Sequence, residues 1–203
     1  MQRITTSNPN YFILVDRFPY TETREKIKTE FLVWLDYKKE RKQDISNYLL
    51  DSTNHNSLEV SLQNKLKDGN FSFLYNNNTC LCFAGLQIQD KNAWIHRLHT
   101  NPFEYINYLG TISQYLIPYH ILTAKDKGCK YYKLTYTGRN SRFYYFYKNK
   151  KFNKSKFYKT DRLDGVENLS KFEFVGEEII NQTEQLVARL DLNRPDIDSF
   201  CKF

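Results

Sequence analysis

The sequence predicts a mixed α/β (α+β) chain, a mostly antiparallel, twisted sheet with helices on both faces. Three observations carry that reading. Residues 128–152, GCKYYKLTYTGRNSRFYYFYKNKKF, run from a glycine through an alternating strand and a turn into an aromatic amphipathic helix. Residues 71–99 hold three short apolar runs separated by Asn- and Asp-rich turns, the pattern of a hairpin and a following strand. Apolar residues at helical spacing lie both before this block and between it and Gly128. The order is then β, helices, β-hairpin, β, long α, β, α, β, β. A strand–helix–strand crossover makes one parallel pair, and hairpins make the remaining pairs antiparallel.

Taken in order, Tyr11 to Val15 (YFILV) is the first predicted strand. Thr21 with Glu22 and Glu25 opens a helix, since acids suit the positive helix N-terminus. Ile27, Phe31, Trp34 and Leu35 share one face of it, and Lys28, Glu30, Lys38, Lys39 and Glu40 form the solvated face. Ile45, Tyr48 and Leu49 indicate a second helical piece. Ser57 caps a third, with Leu58, Leu62 and Leu66 on one face and Gly69 as its stop. Phe71–Tyr75 and Thr79–Ile88 form a hairpin around Asn76–Asn78. After a turn at Asp90–Asn92, residues 93–99 (AWIHRLH) form the next strand, ended by Asn101-Pro102.

Residues 103–110 read as a loop, and 111–127 as a helix in which Pro118 implies a kink or a late start. Lys130 to Thr137 alternates as a strand, with Tyr132, Leu134 and Tyr136 on one face. Asn140 can cap the next helix, where Phe143, Phe146 and Tyr147 share a face at i, i+3 and i+4. FEFVGEEII and EQLVARLDL are the last two strands, with an acidic turn expected at Gly176-Glu177.

Length and composition exclude several classes. The 203 residues show no repeat and no long linker, which predicts one domain over residues 1–203. No apolar run approaches the length of a membrane span, and the N-terminus lacks a secretory pattern. Cys80, Cys82, Cys129 and Cys201 lack metal-site spacing, so they read as reduced thiols of a cytoplasmic protein without a metal. The net charge is +7. Eight basic residues and no acid lie between Arg139 and Lys159, a face suited to a polyanion, a phosphorylated cofactor or an acidic partner. Basic groups interleaved with aromatics also suit single-stranded nucleic acid, although helical spacing turns several of those aromatics inward.

Residues 128–152 resemble a motif of the Gcn5-related N-acetyltransferase (GNAT) superfamily. Asn140 starts it, Phe146-Tyr147 matches its aromatic-Tyr pair, and Phe152 falls where its Gly-Phe ends. Phe143 stands where a small residue is usual, and Lys151 replaces the glycine. Gly128 matches the glycine that ends the family's central helix, and Leu116 and Ala124 match apolar positions along it. The family's Arg/Gln-x-x-Gly-x-Gly/Ala loop falls on residues 108–113. There Ile112 and Ser113 fit, Gly110 is one position out, and the basic residue is missing.

The resemblance implies an acyl-CoA-dependent N-acyltransferase of acetyl-CoA or another acyl-CoA, with an amine acceptor that is a small molecule or a protein. It implies that the backbone of Gly110, Thr111, Ile112 and Ser113 meets the pyrophosphate, since helix N-termini bind phosphate. Leu98, His99 and Thr100 would then lie along the pantetheine arm, and Asn140 would touch it. Tyr147 would contact the cofactor or protonate the leaving thiolate, a proton its hydroxyl releases only as thiolate charge develops. His99, which titrates near neutral pH, or Glu104 would take the amine proton. The departures at 108–113 leave open a GNAT-fold protein that binds without catalysis, and the 139–159 stretch a nucleic-acid-binding module.

Overall fold

The structure is a computed structural model and describes residues 2–17, 29, 33–34, 37, 40, 70–104, 108–137, 168–180 and 183–200. The chain divides into two compact units. Met1–Thr5, Pro9–Gln87 and His96–Ile106 make the first, and Thr6–Asn8, Ile88–Ile95 and Asn107–Phe203 the second.

The first unit is built on β1 (Gln2–Thr5), β2 (Tyr11–Arg17), β3 (Asn70–Asn76) and β4 (Thr79–Gln89), antiparallel neighbours in that order. In β2, Tyr11, Ile13 and Val15 are buried while Phe12 and Leu14 are half-buried, an alternation that strand geometry imposes on a continuous apolar run. β1 is an addition to the predicted order. Its four residues hold one apolar side chain, Ile4, so no periodicity announces it, yet Thr5 to Gln2 pair in register with Phe12 to Val15. The β3–β4 turn is short, and Asn77 takes a φ of 50° there, a left-handed conformation that asparagine tolerates. Thr29, Val33, Trp34, Tyr37 and Glu40 are helical, as expected, and Trp34 is buried against Phe83. The helical pieces expected at 45–49 and 57–69 lie outside the described residues.

Cys80 and Cys82 depart from the simple strand pattern. Tyr75 pairs with Cys80 and Leu74 with Cys82, so Leu81 is an extra, bulged residue. Cys80, Leu81 and Cys82 are all buried, and the Cys80 thiol donates to the Cys82 carbonyl at 3.7 Å. Burial, with Cys80 alongside, pushes the Cys82 thiol well above its ordinary pKa. These cysteines belong to the core. Among the described residues no group of three or more His, Cys, Asp or Glu is placed to hold a metal ion, and no helix is long and apolar enough to cross a membrane.

The second unit contains the start of β5 (Asn92–Thr100), then β6 (Tyr131–Thr137), β8 (Thr183–Asp191) and β7 (Glu173–Ile180), in the order β5-β6-β8-β7. Asp90 and Lys91, with φ of 48° and 60°, turn the chain into β5, as a two-residue hairpin loop requires. β5 and β6 are parallel, pairing Asn92, Ala93 and Trp94 with Tyr131, Tyr132 and Lys133. β6–β8 and β8–β7 are antiparallel. Between β5 and β6 the chain passes through a π-helical segment, Tyr108–Leu116, and helix α1 (Ile117–Asp126). α1 buries Ile117, Pro118, His120, Ile121 and Ala124 on one face. A last short helix, α2 (Ile197–Phe200), is tied to α1 by Lys125 and Asp198 at 2.6 Å.

Two glycines shape this unit. At the end of α1, Gly128 N–H donates to the Lys125 carbonyl at 2.8 Å and Cys129 N–H to the Ala124 carbonyl at 3.0 Å. That pairing is a Schellman cap, with Gly128 left-handed at φ 74°. Gly176 has a φ of 136° and sits beside the bulged Val175 within β7, so the turn expected at Gly176-Glu177 is instead a bulge in a continuous strand. A Cβ at either glycine meets nothing within 4 Å, so substitution costs backbone strain alone. Gly128→Ala is expected to lower stability by about 1 kcal/mol, and Gly176→Ala by about 1–3 kcal/mol. Urea midpoints falling at unchanged slope check both.

Candidate functional site

The residues predicted to meet an acyl donor's phosphates open the helical crossover of the second unit. Tyr108–Leu116 has no acidic residue in its first turn, and Gly110, Thr111, Ile112 and Ser113 are all buried in it. The crossover therefore becomes helical inside the stretch expected to be a loop, at Tyr108 rather than 111. Its register explains the difference. A continuous α-helix would drive the Pro118 ring into the carbonyl of Gln114. Closing the turn on i→i−5 bonds instead widens the helix and turns that carbonyl aside. Such π-helical insertions are rare and concentrate at functional sites. Pro118, at the start of α1, is where the register returns to α.

The opening turn of such a segment leaves its first N–H groups without intrahelical carbonyls. Such an opening turn carries positive potential. Gln114 Oε1, in the same segment, is buried without a hydrogen-bond partner among the described residues. At the segment's far end the Ser113 carbonyl accepts from Asn168 Nδ2 at 3.3 Å.

Below the segment lies a polar pair in an apolar setting. His120, on α1, and Tyr132, on β6, are both fully buried, with Tyr132 Oη 3.4 Å from His120 Nδ1. Tyr132 meets Phe172 edge-on at 6.2 Å. Burial drives the His120 pKa down to about 3, so its imidazole is neutral at physiological pH. It is held in the core, where a proton exchanged with solvent has no path, and it reads as a packing residue. Its place on the buried stripe of α1, between Leu116 and Ala124 at four-residue intervals, was the sequence signal for it.

The other predicted residues divide. Leu98 and Thr100 are half-buried on β5, His99 lies between them, and all three belong to the first unit. Glu104 is exposed just beyond a turn in which Asn101 Oδ1 accepts from Phe103 N–H at 2.9 Å. Gly110 to Ser113 belong to the second unit. Asn140, Tyr147 and the basic stretch 139–159 lie outside the described residues. Sequence reasoning did not single out Asn168, whose contact with Ser113 spans 55 residues of chain.

No family model matches the chain, and no curated protein matches it. Solved structures do. An aminoglycoside N(6′)-acetyltransferase from Legionella pneumophila superposes with a TM-score of 0.54 at 14% identity, over 92% of this chain and 95% of that one. The PaiA N-acetyltransferase of Thermoplasma acidophilum, in complex with coenzyme A, gives 0.52 at 15% identity, over 88% and 98%. A GNAT-family acetyltransferase of Staphylococcus aureus Mu50 gives 0.51 at 13% identity, over 89% and 99%. The chain has the fold of the GNAT acetyltransferases.

Proposed function

We propose that the chain is an acyl-CoA-dependent N-acyltransferase that moves an acetyl group from acetyl-CoA to a primary amine by direct attack. The observation that carries this reading is the crossover between β5 and β6, whose helical opening falls on the residues that the family resemblance assigns to the pyrophosphate. The fit is chemical as well as positional. With no carboxylate in its first turn, the segment offers its amide donors to phosphate oxygens without opposing charge. The buried Gln114 Oε1 is an acceptor that an amide N–H of a pantetheine arm would satisfy. Bound acyl-CoA supplies the thioester to be attacked.

Around that thioester the chain has three tasks. Gly110, Thr111, Ile112 and Ser113 hold the phosphates, while Leu98, His99, Thr100 and Asn140 attend the arm. His99 or Glu104 takes the proton released as the amine nitrogen bonds to the carbonyl carbon. Tyr147 gives a proton to the sulfur as the C–S bond breaks, leaving free thiol. The acceptor is an amine of a small molecule or a protein.

Calorimetry with acetyl-CoA, followed by thiol release over a panel of amines, tests the reading. Tyr147→Phe is expected still to bind acetyl-CoA and to lose roughly 10²–10⁴ in kcat, the usual worth of one proton-transfer group. No binding at millimolar acetyl-CoA defeats the proposal. Binding with no turnover on any amine favours a second reading, a binding protein of the same fold, for which the missing basic residue at 108 is the motive.

A further inference from the structure

We propose that Phe103 and Tyr37 receive the acceptor, and that this acceptor is a primary alkylamine bound as its ammonium ion, an inference that rests on the acyl-CoA reading above. Beyond Thr100, where β5 ends, the chain is clamped to the bulge in β4. Asn101 N–H donates to the Leu81 carbonyl at 2.8 Å, and Asn101 Nδ2 donates to the Cys80 carbonyl at 2.9 Å. Asn101 Oδ1 accepts from Phe103 N–H at 2.9 Å. This clamp fixes Phe103 without hiding it, since the residue is 54% exposed. Its ring meets that of Tyr37 at 4.5 Å, tilted by 56°. Glu104, also exposed, is the next residue. All of these residues belong to the first unit. Phe103 and Glu104 follow closely on residues 98–100, which the acyl-CoA reading lays along the donor's arm.

An aromatic face attracts a cation placed within about 6 Å of the ring centre. Elsewhere this chain provides that cation itself. Arg3 lies over the half-buried Phe12 ring at 3.9 Å, and Lys130 and Arg189 each lie over the Tyr131 ring at 5.0 Å. Among the described residues no Lys or Arg lies over the Phe103 ring, although that residue is more open to solvent than either of those. A primary alkylamine carries a suitable charge at neutral pH, as lysine does, and the carboxylate of Glu104 adds an opposite charge next in the chain. A hydroxyl or amide acceptor has no such attraction to a ring. Two sources present the same ammonium group, a free diamine and the lysine side chain of a protein. The bound ion loses one proton to solvent before it attacks, and His99 or Glu104 takes the second as the C–N bond forms. Phe103 and Tyr37 move no proton; they decide which amine is held.

The test is steady-state acetyl transfer by the full chain to two probes, 1,4-diaminobutane and an N-terminally capped peptide with a single lysine. The probe with the larger kcat/KM names the source. Phe103→Leu keeps an apolar side chain and removes the ring. It is expected to raise KM for that probe about two- to fivefold, the worth of a cation held on an exposed ring, with kcat at saturation and acetyl-CoA affinity in calorimetry nearly unchanged. Phe103→Tyr restores a ring and is expected to restore KM. A ring that only packs against the helix would lower the melting temperature of Phe103→Leu and leave the acceptor KM alone, which overturns the proposal. So does a KM that Phe103→Tyr fails to recover. Acetyl-CoA binding with no transfer to either probe overturns the alkylamine assignment and leaves the donor reading standing. Failure of the unaltered chain to bind acetyl-CoA overturns both.

Discussion

Acidification from pH 7 to 4.5 is expected to strip about 2–3 kcal/mol from the folding stability of this chain through His120 alone, and His120→Gln to abolish that part of the loss. The magnitude follows from linkage. Unfolded, the imidazole takes up its proton near pH 6.5; folded, it is fully buried and resists until about pH 3. Between those values the unfolded chain binds one proton more than the folded one. The contribution is therefore complete above pH 6.5 and is lost as pH falls toward 3, at about 1.36 kcal/mol per unit. Two groups that face His120 among the described residues, Tyr132 Oη at 3.4 Å and the Tyr119 ring at 5.9 Å, carry no charge in this range.

Glutamine keeps a polar group for Tyr132 without a proton to gain. Urea unfolding of both proteins at several pH values gives the comparison, because carboxylates common to both cancel. Parallel pH profiles for the two would show that His120 is not held neutral in the fold.

Some of this architecture was legible in the residues themselves, and the division has physical causes. Turns were legible because their chemistry is local. Asn76–Asn78, Asp90–Asn92 and Gly128 carry their own backbone preferences, and each lies where the chain turns or the helix stops. β6 was legible because burial on one face writes a period of two, and β2 because its five apolar residues form a short continuous run. β1 was not, because an edge strand with one apolar residue has no period to read. The bulges at Leu81 and Val175 were not, because pairing partners decide them. At the site, counting back from Gly128 placed Gly110 to Ser113 at the crossover's opening. The π register escaped notice since apolar spacing of i+4 serves an α- and a π-helix alike. Only Pro118 betrayed it, and the contact of Asn168 with the Ser113 carbonyl is one no local pattern records.

Trp34→Ala is expected to cost about 3–5 kcal/mol, the range for emptying a large aromatic site in a core. The helical positions around it show why this residue carries so much. Val33, its neighbour, is 54% exposed while Trp34 is 3% exposed, so the helix turns one face sharply inward. Tyr37, three residues on, meets Phe103 at 4.5 Å from the same face. The Trp34 ring stacks on Phe83 at 5.3 Å and 25°, and Phe83 leans on Phe73 at 5.8 Å. Both phenylalanines are fully enclosed, so neither has room to shift into the void left by alanine. A cycle of Trp34→Ala and Phe83→Ala separates stacking from burial. About 0.5–1.5 kcal/mol of coupling is expected beyond the area lost. Unfolding midpoints in urea, with slopes compared, measure both quantities. A loss below about 1.5 kcal/mol for Trp34→Ala would mean that the helix does not seat this ring in the first unit's core. Stacking would then be incidental to what holds β3 and β4 under the helix.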